Sequence, residues 1–351
     1  MTETSLERYP NQIALMPKLT GLGGPTSFQA KLMQGLEKNG IQAHFNPHDP
    51  AVKTILVVGG TKHLPAIYQA RRQGKRIVQR LNGMNWIHRK KKTGIRHYLR
   101  SEYGNFILSF IRKHLADAIV YQSQFARSWW QSAYGSSKVE STVIYNGVDL
   151  ETYHPLGVNE RPTDHIRILL VEGHLGQGNE AGLSNAIQLV EQLQQSIPQP
   201  IELMIAGKVP QDIIEKVTAT TNIWLSWAGV IPRHEIPRLD RSAHLLFSAD
   251  LNAACPNSVI EALACGLPVV SYATGSLPEI LKHDAGRTAP YGSNYWELQP
   301  PDVTALADAA KEILDNLAYF QQKARIQAET MFNLDDMVAD YLKMLLPAST
   351  R

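Results

Sequence analysis

Residues 254–270 are A-C-P-N-S-V-I-E-A-L-A-C-G-L-P-V-V, a pattern that predicts a loop, a short helix, a glycine stop and a buried strand in succession. Ser258 and Glu261 have the S-x-x-E spacing of a capping box, so we expect the helix to begin at Ser258. Gly266 stands where a left-handed helix end is expected, and Pro268 stops the helix from continuing. A loop that leads into a helix N-terminus presents backbone N–H groups, which favours an anion site, most naturally for phosphate.

Glu261 has two interpretations on the residues alone. Its carboxylate closes the capping box, which is a common local device. Alternatively, it holds ribose hydroxyl groups beside the phosphate site, as acidic residues do in other nucleotide sites.

Length and composition predict an ordinary globular protein. The 351 residues are enough for two α/β domains, and 44% hydrophobic with 19% charged residues is typical of soluble proteins. We expect no signal peptide, because the first residues, M-T-E-T-S-L-E-R-Y-P, lack an apolar segment. Only Cys255 and Cys265 occur, which favours a reducing, cytoplasmic compartment.

The positive charge is concentrated in one block. Residues 50–101 contain thirteen Lys and Arg and no acidic residue, although the net charge of the chain is only +3. Such a block predicts a face that attracts phosphates or anionic lipid head groups, and a merely solvated basic surface remains the alternative. Trp86 and Ile87 lie beside the run of cations and suggest attachment to a membrane or an anionic acceptor; the cations are Arg89, Lys90, Lys91 and Lys92. Aromatic residues within the block leave nucleic-acid binding open, but no recognisable module accompanies them and we expect no nucleic-acid partner.

Short apolar runs alternate with helical patterns, which predicts parallel sheets covered by helices. The predicted strands are 13–16, 54–58, 76–81, 118–122, 142–145, 167–171, 202–206, 222–226, 244–247 and 268–272. The pattern stops at 155–164, which we interpret as a linker. We expect an α/β fold of two Rossmann-like domains, 1–157 with 332–351 and 165–331, facing across a cleft, with ligands at the carboxyl ends of the strands.

Several enzyme classes lack their motifs here. The sequence contains no G-x-G-x-x-G, no G-x-x-x-x-G-K-[ST], no H-E-x-x-H and no G-x-S-x-G. These absences disfavour a dinucleotide dehydrogenase, a P-loop ATPase, a metalloprotease and an α/β-hydrolase. We therefore expect neither a cofactor nor a metal.

The run P-N-S-V-I-E-A-L-A-C-G-L-P-V-V resembles the signature of retaining family 4 glycosyltransferases of GT-B fold. The resemblance implies that Glu261 holds the ribose of a nucleotide-sugar donor. It implies that the preceding loop cradles the diphosphate; the loop residues are Ala254, Cys255, Pro256, Asn257 and Ser258.

Other segments follow in the order of the same family. G-G-P, with Gly23 and Gly24, resembles the first-domain loop whose backbone approaches the donor phosphates. The segment W-A-G-V-I-P, at 227–232, also falls in family order, which implies that Val230 lies at the donor site. The segment 143–155 resembles the exit from the first domain, and F-N-L-D-D-M-V-A-D-Y, at 332–341, resembles the helix that crosses back to it.

The sequence departs from the family at the charged positions. Ala253 replaces the Glu expected eight residues before Glu261, with Asp250 and Asn252 as nearby polar substitutes. His174 and Asn179 stand where the family places Arg and Lys to neutralise the diphosphate, and Lys208 is a candidate to compensate. Asn82 aligns with the family's catalytic His and is one candidate catalytic residue. Asn252, the polar residue beside Ala253, is the other.

The resemblance implies transfer of a sugar, with retention of configuration, from a nucleoside-diphosphate donor to an acceptor hydroxyl in glycan, polysaccharide or glycolipid synthesis. The expected partners are the donor, a glycan or lipid-linked acceptor and an anionic membrane surface, at the cytoplasmic or inner membrane face. The alternative is a non-catalytic GT-B protein that binds a sugar nucleotide or a glycan.

Overall fold

The computed structural model describes residues 12–21, 23–92, 94–158, 161–175 and 180–347. The chain divides into two compact units. The first contains the described residues up to Gly147 and those from Leu334 onward, and the second spans Val148–Asn333.

The first unit is built on a parallel sheet in the order β2-β1-β3-β4-β5-β6. Its strands are β1 (Gln12–Met16), β2 (Gln42–His44), β3 (Val52–Val58), β4 (Arg76–Leu81), β5 (Ala118–Tyr121) and β6 (Glu140–Val143). Between them lie α1 (Gly24–Lys38), α2 (Leu64–Arg72), α3 (Ile95–Phe110), which continues into a π-helical turn at Ile111–Leu115, and α4 (Gln124–Tyr134).

Alternation of side chains along the strands covers both faces of this sheet. Ile13 and Leu15 pack with Phe28 and Leu32 of α1 on one face. On the other face, the alternate residues of β1 and β3 pack against α2 and α3. Burial on both faces explains why these strands are nearly continuous apolar runs.

The second unit repeats the plan with the order β12-β11-β10-β7-β8-β9, all parallel. Its strands are β7 (Ile166–His174), β8 (Ile201–Lys208), β9 (Trp224–Gly229), β10 (Leu245–Ser248), β11 (Val269–Tyr272) and β12 (Gly286–Ala289). Its helices are α5 (Glu180–Leu193), α6 (Gln211–Thr220), α7 (Ile236–Arg241), α8 (Asn257–Ala264), α9 (Leu277–Ile280), α10 (Val303–Asp315) and α11 (Leu317–Met331).

Every predicted strand is present, and two further strands were missed. β2 and β12 lie at sheet edges. Their sequences, Q-A-H and G-R-T-A, contain no apolar run, and the strands are only partly buried. Hydrophobic periodicity therefore gives no signal for them.

The last helix, α12 (Leu334–Leu345), belongs to the first unit, as the sequence predicts. Met337, Val338 and Tyr341 pack into the core formed by α1 and its sheet. The ring centroids of Tyr341 and Phe28 lie 5.1 Å apart.

The boundary between the units lies ten residues before the predicted position of 157. The Val148 N–H donates to the Phe332 carbonyl (2.8 Å), and the Arg325 guanidinium donates to the carbonyls of Tyr153 (2.8 Å) and Ala264 (2.7 Å). These bonds attach the exit segment to the second unit. Proline and glycine composition marked the irregular chain after it, not the point at which the contacts change.

Within the described part of the chain, no helix has both the length and the apolar character needed to cross a membrane.

Candidate donor site

Helix α8 begins one residue earlier than the capping box predicts, and that prediction is wrong. The N-cap residue is Pro256, whose side chain supplies no cap, and Ser258 is already the second helical residue. The Pro256 carbonyl accepts from the Ile260 N–H (3.3 Å). The proline ring fixes φ of Pro256 near −73°, the value observed at this helix start. The first turn of α8 therefore forms without a capping hydroxyl group. The start of α8 lies after the loop of Ala254 and Cys255 and carries no N-cap side-chain bond.

The end of α8 follows the prediction. Gly266 has φ +70°, its N–H donates to Leu263 (3.0 Å), and the Leu267 N–H donates to Ala262 (2.9 Å). These two bonds form a Schellman motif, which explains the need for glycine at this position.

Glu261 lies in the second turn of α8, too far from the N-cap residue Pro256 to take part in a capping box. The residue is only 8% exposed. It lies near Asp240 of α7, since burial first and the charge of Glu261 second raise the pKa of Asp240. The Cys265 thiol also forms a hydrogen bond with the Asp240 carboxyl group. The capping interpretation of Glu261 is therefore wrong, and the buried Asp240 lies near this carboxylate.

Asn252 and Ala253 lie in the loop that follows β10. Asn252 is 4% exposed with φ +63°, and within the described structure neither its Oδ1 nor its Nδ2 has a hydrogen-bond partner. Gly275, after β11, packs directly on this backbone, since a Cβ there would be 2.6 Å from the Ala253 nitrogen. The buried hydroxyls of Thr274 and Ser276, beside Gly275, also have no partner among the described residues. Buried polar groups are normally satisfied, so water or ligand contacts are expected at this cluster.

Glu172 and Asp250 lie at the carboxyl ends of neighbouring strands. Glu172 is near the end of β7, and Asp250 follows β10, which pairs with β7. Asp250 keeps an exposed surface, but protein encloses both carboxyl groups from most directions. Burial and the charge of Asp250 raise the pKa of Glu172, and burial raises the pKa of Asp250. The pair therefore retains a proton at pH values where separate exposed carboxyls are ionised.

His174 and Lys208, the residues considered in place of the family's Arg and Lys, lie at the same edge of the sheet. His174 ends β7 and is in register with Lys208, which ends β8 and is exposed. Asn179 lies outside the described residues. Val230 follows β9 and is exposed.

In the first unit, Gly23 and Gly24 form the start of α1. Gly23 is the N-cap with φ −72°, and it accepts backbone bonds from Thr26 (3.1 Å) and Ser27 (3.2 Å). Both glycines are exposed. Neither the backbone conformation of Gly23 nor crowding around it requires a glycine. The effect of the missing side chain is to leave room for a ligand to approach the backbone at this helix start.

Asn82 belongs to a polar network at the end of β4. Its Oδ1 accepts from the Arg80 guanidinium (2.6 Å) and from Gln122 Nε2 (2.9 Å), and its backbone carbonyl accepts from Trp130 Nε1 (2.8 Å). Arg80 is buried, donates also to Asn146 Oδ1 (2.7 Å) and lies over the Phe28 ring. Sequence analysis missed this network, because an Arg within a strand gives no sign of its partners.

One of the four clustered cations, Arg89, is held in an ion pair. Arg89 makes a two-bond ion pair with Glu102, at 2.5 and 2.8 Å, and this bond lowers the pKa of Glu102 to about 2. All four cations, Arg89 included, line a shallow groove of about 500 Å³. Trp86 and Ile87 are only partly exposed, and therefore contribute less apolar surface than the sequence suggests.

Two family models match the chain. "Glycosyl transferases group 1" matches residues 167–330, and "Glycosyltransferase Family 4" matches residues 55–152. The chain belongs to family 4 of the GT-B glycosyltransferases. The first model covers most of the second unit, including α8 and Glu261, and the second lies in the first unit and ends just past its boundary.

Similar proteins agree with this family. The chain is 23% identical over 186 residues to one of the subunits of the phosphatidylinositol N-acetylglucosaminyltransferase of Arabidopsis thaliana, a match that covers 52% of this chain and 39% of that protein. The chain therefore spans about two fifths of that relative's length.

Solved structures show the same fold. Sucrose-phosphate synthase from Thermosynechococcus elongatus has a TM-score of 0.74 at 17% identity, with 95% of this chain and 98% of that chain covered. Anabaena HepE, in complex with UDP and glucose, has a TM-score of 0.70 at 16% identity, with coverages of 96% and 99%. The α/β prediction of two Rossmann-like units of GT-B type is thereby confirmed.

Proposed function

We propose that the second unit binds a nucleoside-diphosphate sugar and that the protein transfers this sugar, with retention of configuration, to an acceptor hydroxyl. The observation that carries the proposal is the arrangement at the start of α8. There, a helix N-terminus without a side-chain cap follows the loop after β10, and the buried Glu261 lies one turn further along. A helix start suits a diphosphate, and a buried carboxylate suits two adjacent ribose hydroxyls.

The reaction replaces the bond between the sugar C1 and the phosphate oxygen by a bond to the acceptor oxygen, on the same face of the sugar. The diphosphate leaves with the bonding electrons, and the acceptor proton goes to the leaving phosphate. Stabilising the leaving charge is therefore the main task. In this chain it falls to the backbone N–H groups of the α8 start and to Lys208, with His174 as a further candidate.

We propose a UDP-sugar as the donor, with glucose or N-acetylglucosamine as the sugar. HepE was solved with UDP-glucose, and the name of the Arabidopsis relative refers to an N-acetylglucosaminyltransferase. The proposed acceptor is a glycan or a lipid-linked group, and the proposed location is the cytoplasmic face of an anionic membrane. No metal takes part in the proposal.

A binding protein without transferase activity is the second candidate. Ala253 replaces the carboxylate expected at the donor sugar. Asn82, at the place of the catalytic His, directs its carboxamide oxygen to Arg80 and Gln122. Both observations favour binding over transfer.

A donor screen separates the candidates. Melting temperature and release of nucleoside diphosphate are measured with UDP-glucose, UDP-N-acetylglucosamine, GDP-mannose and ADP-glucose, because a ligand of the folded state raises its stability. Stabilisation together with release of UDP supports the transferase. Stabilisation without release, for every donor and with added glycolipid acceptors, supports the binding protein. No stabilisation by any donor contradicts both.

A further inference from the structure

Helix α3 exposes an apolar stripe along most of its length. Ile95 is 81% exposed, Leu99 61%, Tyr103 50% and Phe106 58%. Steps of four, four and three residues place these side chains on one side of the helix, along about 17 Å at 1.5 Å per residue. Residues 94–100 are all exposed, so the first turns of α3 project from the unit.

The orientation of the stripe is fixed by polar contacts of α3 residues that lie beside it. Asn105 is buried and bonds twice to the backbone of Asn85: its Oδ1 accepts from the Asn85 N–H (3.0 Å), and its Nδ2 donates to the Asn85 carbonyl (2.8 Å). Glu102 holds Arg89 and His88 at a second position. These polar contacts direct Leu99 and Phe106 away from the core, although burying them would be favourable.

Cations accompany the stripe. Arg96 and Arg100 are exposed and lie one helical step to its side. Lys90 and Lys92 line the groove of about 500 Å³ that also reaches Ile95 and the start of α3. Residues 50–101 contain no acidic residue, and Glu102, the first acidic residue after them, pairs with Arg89.

We propose that α3 docks the protein on an anionic lipid bilayer. The α3 face, as we define it, consists of Lys90, Lys92, Ile95, Arg96, Leu99, Arg100, Tyr103 and Phe106. The apolar stripe enters the boundary between head groups and acyl chains, and the cations meet lipid phosphates, with the groove beside Lys90 and Lys92 receiving a head group.

Charge complementarity selects the bilayer over a second copy of the chain. Two α3 faces in contact would bring their Arg and Lys side chains together, and like charges repel. An anionic bilayer offers phosphates to these cations and hydrocarbon to Leu99 and Phe106 at the same time. A nucleic acid would satisfy the cations but leave the aliphatic side chains in water.

The α3 face extends the membrane contact proposed above. Its apolar side chains are those of α3, whereas the sequence suggested Trp86 and Ile87. Its test is independent of sugar transfer, because vesicle binding is measured without donor or acceptor. Failure of the transferase proposal would therefore leave this result unchanged, and the reverse also holds.

The experiment is co-sedimentation with vesicles of phosphatidylcholine alone and of phosphatidylcholine with 30% phosphatidylglycerol. We expect binding to the anionic vesicles only. The double substitution Leu99→Ser with Phe106→Ser should weaken it by at least tenfold, since each side chain loses its burial in the bilayer. Arg96→Ser with Arg100→Ser should weaken it on the order of tenfold, at about 1 kcal/mol per cation near the surface.

Matched controls come from exposed residues of the second unit. Leu156→Ser with Val158→Ser removes exposed apolar side chains, and Lys216→Ser with Lys282→Ser removes exposed cations, without touching α3. These variants should bind like the wild type, and all variants should keep its melting temperature. Equal recovery on neutral and anionic vesicles, or unchanged binding of both α3 variants, overturns the proposal. A dimer in sedimentation velocity that Leu99→Ser abolishes, without vesicle binding, overturns it in favour of a second copy.

Discussion

The Asn82 carboxamide oxygen accepts a 2.6 Å hydrogen bond from the buried Arg80 guanidinium. The same oxygen accepts from Gln122, so Asn82 connects the ends of β4 and β5. We expect Asn82→Ala to lower the free energy of unfolding by about 1 to 3 kcal/mol, because it removes the acceptor of a buried charged group. Urea unfolding measures this. The control Asn222→Ala, at an exposed position, should change stability by less than about 0.5 kcal/mol. Equal stability of the two variants would contradict the structural role of Asn82.

Glu261→Ala should weaken UDP binding by about 1 to 3 kcal/mol, because the ribose hydroxyls lose a buried carboxylate partner. Calorimetric titration measures the affinity, and Glu151→Ala, at an exposed position of the same unit, is the matched control. Unchanged affinity with a lower melting temperature would leave Glu261 with a structural role only.

UDP affinity should fall as the pH rises toward the raised pKa of the pair formed by Glu172 and Asp250. Burial and mutual repulsion hold a proton on this pair, and its loss adds negative charge at the edge of the sheet where we place the diphosphate. Glu172→Gln should flatten this pH dependence and strengthen binding at the alkaline end. Titrations between pH 6 and pH 9, with Glu151→Gln as the control, test it. A slope that survives Glu172→Gln shows that other groups cause it.

Asp240 should make the protein less stable as the pH rises. Burial raises its pKa in the folded state well above the unfolded value, so the folded state binds the extra proton. The free energy of unfolding therefore decreases from about pH 4, near the unfolded pKa, up to the raised pKa. We expect Asp240→Asn to remove this decrease. Urea unfolding of both proteins across pH 4 to 8 gives the difference, and parallel curves would refute the assignment.

Ala253 should mark a change in donor-sugar recognition. Loss of one hydrogen-bonding carboxylate is worth about 1 to 3 kcal/mol of discrimination between sugars. We therefore expect the wild type to accept several UDP-sugars, and Asn252→Ala to reduce turnover while Asn222→Ala does not. Product analysis across the donor panel is the measurement. If the wild type turns over no donor while Ala253→Glu restores transfer, the active-enzyme proposal fails.

Much of the fold follows from local sequence. The central strands are apolar runs because both faces of each sheet are buried, and the end of α8 follows from Gly266 and Pro268. The resemblance to family 4 also rests on motifs of contiguous residues, which can be recognised in the sequence alone. The strands Gln42–His44 and Gly286–Ala289 were missed, because neither contains an apolar run.

The sequence alone determined the alternation that builds two Rossmann-like units, the helix-to-strand motif at 254–270 and the acid-free basic block. Tertiary structure decided which groups meet. It took Glu261 out of the capping box and brought Asp240 near it, joined Asn82 to Arg80, and brought Asp250 near Glu172. It also turned Leu99 and Phe106 outward while half-burying Trp86. The physical reason is that hydrophobic periodicity and turn chemistry act over a few residues. Burial, pKa and hydrogen-bond partners depend instead on segments that parallel strand order brings together from far along the chain.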